Sequence, residues 1–113
     1  MTTLDFASLK AEAERKHTGK GLPFIAKNGK KVRLHRIEAL PGGDLKTALA
    51  LLDLVQSEKV SNERRIDAMS ALLVSVASDK KAMRESVDAL PLEQTMTVVE
   101  RWMELAAPGE APA

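Results

Sequence analysis

The chain has 113 residues, with 17 Lys and Arg against 16 Asp and Glu, no Cys, and rings only at Phe6, Phe24 and Trp102. That length suits one domain with a modest core, and the lack of Cys excludes disulfides, thiolate chemistry and Cys-based zinc sites. The near-neutral total conceals a division: residues 1–36 carry nine Lys/Arg against three Asp/Glu, and residues 37–113 carry eight against thirteen.

Residues 4–16 predict a short helix, with Phe6, Leu9 and Ala13 at helical spacing and charged residues on the other sides. So thin a stripe needs a surface to lie on. Thr18 to Gly21 serves as a connector. Residues 22–36 predict a β-hairpin around Asn28-Gly29, the pair preferred in type I′ turns. Val32 and Leu34 alternate with Lys31, Arg33 and His35, so one face is apolar and the other basic. Pro23 suits an edge strand. Residues 1–36 are thus expected to form a basic helix-plus-hairpin unit, joined by a connector over 37–43 to a helical domain over 44–106.

That domain should be a bundle of about four helices, which makes the fold mainly α. Asp44 is a candidate N-cap for a helix over 45–56. Leu45, Ala48, Leu49, Leu52 and Val55 form its stripe, and Leu51 and Leu54 widen it. A helix apolar on most sides is expected at the centre of the fold or partly against a partner. Ser61 or Asn62 can cap the next helix, over about 63–77, and Ser78 or Asp79 a short one ending near Leu90. Pro91 can open the last helix, over about 91–106. That helix has a primary stripe of Leu92, Met96, Val99, Met103 and Ala106, beside a second one of Val98, Trp102 and Leu105. Residues 107–113 read as a disordered tail. With so few rings the core must be Leu, Val, Ile, Met and Ala. Met69, Met83, Met96 and Met103 either fill gaps or provide an adaptable surface.

No constellation carries catalytic or metal chemistry. His17 and His35 lack a carboxylate at metal-pair spacing, none of the seven Ser sits in a Gly-x-Ser-x-Gly elbow, and the glycine pairs are too short for a phosphate loop. No enzyme activity, cofactor or metal is expected. The first residues lack an apolar run of signal-peptide length, and no stretch approaches the roughly 20 apolar residues of a membrane span. A soluble cytoplasmic protein without a membrane partner is therefore expected. The basic cluster of Lys20, Lys27, Lys30, Lys31, Arg33 and Arg36 could meet phosphates. It has one ring, however, too few for a single-strand stacking platform. Solubility of an edge hairpin, or docking on an acidic protein surface, accounts for it as well.

The order of elements resembles that of the small tail assembly chaperones of long-tailed, siphovirus-type bacteriophages, in particular those infecting actinobacteria. The resembling features are the charged helix around Ser8-Leu9-Lys10-Ala11-Glu12-Ala13-Glu14, the brief hairpin at Leu22-Pro23-Phe24-Ile25, and the following helices. The closing segment carries most of the likeness: Leu90-Pro91-Leu92-Glu93-Gln94-Thr95-Met96-Thr97-Val98-Val99-Glu100-Arg101-Trp102-Met103, then the small-residue tail from Ala107 to Ala113. The resemblance implies a non-enzymatic assembly factor of the host cytoplasm, absent from the mature virion. Its partner would be the tape measure protein, kept soluble until tail tube subunits polymerise around it. It also implies a longer, frameshifted form diverging near the tail, and brings no catalytic, cofactor or metal residue. Leu51, Leu54, Val98, Trp102 and Leu105 lie off the primary stripes and are the candidate partner-binding residues. A homo-oligomer is a further expectation from the division of charge. The alternatives are a small nucleic-acid-binding regulator working through the basic hairpin, and a phage connector or other interaction subunit.

Overall fold

The computed structural model describes residues 4–17 and 21–106, apart from the side chains of His17 and Ala106. Lys20, the Thr18–Lys20 part of the connector and the 107–113 tail lie outside the described residues. The chain forms α1 (Phe6–His17), a hairpin of β1 (Leu22–Ile25) and β2 (Lys31–Leu34), and a 3-10 turn at Ile37–Ala39. Four further helices follow: α2 (Gly42–Gln56), α3 (Asn62–Ser75), α4 (Lys80–Ala89) and α5 (Leu92–Ala106). The fold is mainly helical, with the hairpin near its N-terminus.

The hairpin differs in detail from a two-residue type I′ hairpin. Gly29 has φ +84° and no other described residue has positive φ, so Asn28 is not left-handed. The Gly29 N–H donates to Ala26 O at 2.8 Å, and the Ala26 N–H donates to Lys30 O at 2.8 Å. This is a three-residue loop, a turn closed by a left-handed glycine bulge. The extra residue sets the register, in which Leu22 lies opposite Leu34 and Phe24 opposite Val32. A two-residue loop would place Phe24 opposite Arg33. The bulge keeps the apolar side chains of both strands on one face.

That face is part of the helical core. Ala26, Val32 and Leu34 are buried in one cluster with Met69, Leu72, Leu73, Val76, Met83, Val99 and Trp102. The free edge of β2 is closed by residues 76–78, between α3 and α4. Here His35 N donates to Val76 O, Ser78 N to Arg33 O, and Arg33 N to Ser78 Oγ. Two more bonds reach the helices: Lys27 N to Ser86 Oγ at 2.9 Å and Trp102 Nε1 to His35 O at 2.8 Å. Gly21 leads into β1 so closely that a Cβ there would lie 2.5 Å from Leu34 O. The division of charge along the sequence is therefore not a division of the core: hairpin and helices bury their side chains together. Arg33 faces away from β1, so Pro23 opposite it faces the open edge of the sheet, where its missing N–H costs nothing.

The helix ends follow local chemistry. Ser61 caps α3, accepting from Arg64 N at 3.2 Å. Asp79 caps α4, accepting from Ala82 N at 3.0 Å, which leaves Ser78 for the hairpin. Asp44 is not a cap: α2 begins at Gly42, and Asp44 lies in the first turn, 3.6 Å from Lys80 Nζ. The central helix is α3, not α2. Residues 72–77 are buried without interruption, whereas α2 buries only Ala48 fully.

In α5 the inward line is Thr95, Val99 and Trp102, flanked by half-buried Val98 and Met103. Leu92 and Met96 of the expected primary stripe stand 43% and 41% exposed. The indole, packed to 1% exposure and hydrogen-bonded to the hairpin, fixes this rotation. Trp102→Phe keeps most of the ring but leaves the His35 carbonyl without its donor. It should destabilise the fold by about 1–3 kcal/mol. Leu34→Ala should cost about 2–5 kcal/mol. Both are checked by urea denaturation.

Candidate functional site

The most apolar helix is among the least buried. Both flanks of α2 beyond Ala48 are large aliphatic residues, and its packing partners are chiefly α3 and the 3-10 turn. Leu49 is 45% exposed, and Leu45, Leu51, Leu52, Leu54 and Val55 are half-buried. On one flank Leu51 and Leu54 join Ala68 and Ala71 of α3 in a shallow groove of ≈ 240 Å³, with Arg64 and Asp67 at its rim. The groove exists because Ala68 and Ala71 are small where α3 meets leucines. Nearby, Arg65 Nη2 donates to Ser57 O at 2.5 Å and holds the α2–α3 connection.

The other candidate partner residues do not share this place. Val98 is half-buried and Leu105 is 44% exposed, both on α5. Trp102 cannot form an outward face, because it is buried and its one N–H is used inside the fold. Trp102 is therefore a core residue and does not join Leu51, Leu54, Val98 and Leu105 at the surface. Leu49 falls on the stripe that the sequence predicts α2 to bury, so only the packing of the fold reveals its exposure. Ile25, at 64%, and Leu4 and Phe6, at 76% and 79%, are also open. On α1 every side chain from Phe6 to Lys16 is exposed.

The basic residues divide. Lys27, Lys30 and Lys31 are exposed at the hairpin tip. Arg36 is half-buried and bridges to Glu38 at 2.6 Å. Arg33 is half-buried and lines a cleft with His35, Ala39 and Pro41 on one side and Lys10, Ala13 and Glu14 of α1 on the other. The single ring of the hairpin, Phe24, packs against the core. Among the described residues no group of three His, Cys, Asp or Glu could hold a metal ion, and no helix is long and apolar enough to cross a membrane.

His35 has a pKa held below its ordinary value of 6.5, first by burial, then by the charges of Arg33 and Lys80. Lys80 is fixed nearby by donating to Ser75 O at 3.0 Å. No protein-family model matches the sequence, and comparison with curated proteins and with solved structures yields no match.

A lowered folded-state pKa means that the unfolded chain binds the His35 proton more readily. The stability contributed by neutral His35 is present above pH 6.5 and is lost as pH falls below it. The urea midpoint should therefore drop between about pH 7 and pH 5, and His35→Gln should flatten that part of the profile.

Proposed function

We propose that this chain is a tail assembly chaperone of a long-tailed bacteriophage. It binds the tape measure protein, keeps that long helical chain soluble in the host cytoplasm, and promotes assembly of the tail tube without entering the virion. The observation that carries the reading is the state of α2, a leucine-rich helix with one fully buried side chain and a groove along its junction with α3. An apolar groove between two helices accepts the apolar face of a third. A client helix would otherwise expose such a face and aggregate. The closing segment from Leu90 to Met103 supports the reading through its resemblance to that family. No step of this work needs a catalytic group.

The nucleic-acid reading draws less support. Arg36 is engaged by Glu38, and Phe24 packs against the core, so the basic hairpin has no open aromatic side chain to stack a base. A frameshifted longer form and contacts with tail tube subunits belong to the proposal through the family resemblance alone.

The test is co-expression with the tape measure protein of the same phage. Wild-type chain should hold the client in the soluble fraction. Leu49→Lys and Leu54→Lys, at exposed and half-buried positions, should keep the helical circular dichroism. They should weaken client binding roughly tenfold or more, as charges placed in an apolar contact do. A client equally soluble with and without the chain would sink the proposal.

A further inference from the structure

The hairpin tip and the outer face of α5 are complementary, and both are exposed among the described residues. On the hairpin, Val32 and Phe24 face the core, so Ile25 and the opposing Lys31 face outward. Ile25 is 64% exposed, and Lys27 and Lys30 project from the loop beside it. The tip is therefore an aliphatic side chain surrounded by three ammonium groups, with no carboxylate among residues 21–36.

On α5, Glu93, Thr97, Glu100 and Glu104 recur at helical spacing and are all exposed. Immediately beside this acidic row lie Leu92 and Met96, 43% and 41% exposed. None of the tip lysines and none of these three glutamates forms an ion pair among the described residues.

We propose that the hairpin tip of one copy docks on the outer stripe of α5 of a second copy, with Ile25 against Leu92 and Met96 and the lysines along the glutamate row. The two surfaces are different parts of the same chain, so the contact is head to tail. Repetition of it builds a ring or an open string of copies rather than a closed pair. The attraction is between exposed charges, so salt weakens it. This inference uses neither α2 nor its groove and does not depend on the client.

Light scattering and sedimentation should show the wild-type chain growing in mean mass with concentration at about 50 mM salt, and returning to monomer at about 500 mM. Lys30→Glu/Lys31→Glu and Glu100→Lys/Glu104→Lys change only exposed side chains. Each variant alone should stay monomeric at low salt, because each meets its own kind with like charges. Mixed in equal amounts, the two should assemble again, since the reversed tip of one variant meets the reversed stripe of the other. A wild-type chain that is monomeric at every concentration would overturn the proposal. So would assembly that persists in either variant, or a mixture that fails to restore it. A monomeric chain that shifts random duplex DNA and loses the shift on Lys30→Glu/Lys31→Glu would also overturn it, assigning the tip to nucleic acid.

Discussion

The fold depends on how β2 is held. A two-stranded hairpin alone is marginal in water. Here the second strand has a backbone partner on each side: β1 along one edge and residues 76–78 along the other. The segment that closes the outer edge is also the junction between α3 and α4. Fixing the strand therefore fixes the angle between these helices. The bond from the Trp102 indole to His35 O draws α5 onto the same strand. The hairpin, grouped by charge with α1 rather than with the bundle, is the element on which three helices are assembled.

This arrangement explains why α2 is left open. The interior is filled by the β2 side chains Val32 and Leu34, by the continuous buried run of α3, and by Met83, Val99 and Trp102. Little room remains for the leucines of α2, which closes one side of α3 and presents its remaining surface outward. Smaller apolar openings stand elsewhere, at Phe6 and Leu9 on α1, Ile25 on the hairpin and Leu92, Met96 and Leu105 on α5.

Features decided within a few residues were legible in the sequence. The helical body, the hairpin position, the cap sites at Ser61 or Asn62 and at Ser78 or Asp79, and the helical entry after Pro91 depend on local chemistry. Features decided by distant partners were not. Asn28-Gly29 favours one turn type in isolation, but the pairing of Phe24 with Val32 requires another register. The leucines of α2 suggest a central helix, yet centrality goes to α3 because it contacts α2, α4 and α5. Two apolar stripes compete on α5, and a hydrogen bond 67 residues away in sequence selects the line through Trp102. The same long-range bond removed Trp102 from the candidate surface, while the groove with Ala68 and Ala71 required knowing which helix packs on α2.

Pro23 on the open edge of β1 has a wider consequence. A strand edge with free amides copies itself without limit, because any extended chain can extend the sheet. One missing amide in a four-residue strand interrupts that template. On this side the main chain offers no N–H at Pro23, so recognition rests more on side chains, which are specific. A small protein crowded with others of its kind can therefore tolerate high concentration without seeding fibres from its only exposed sheet edge among the described residues.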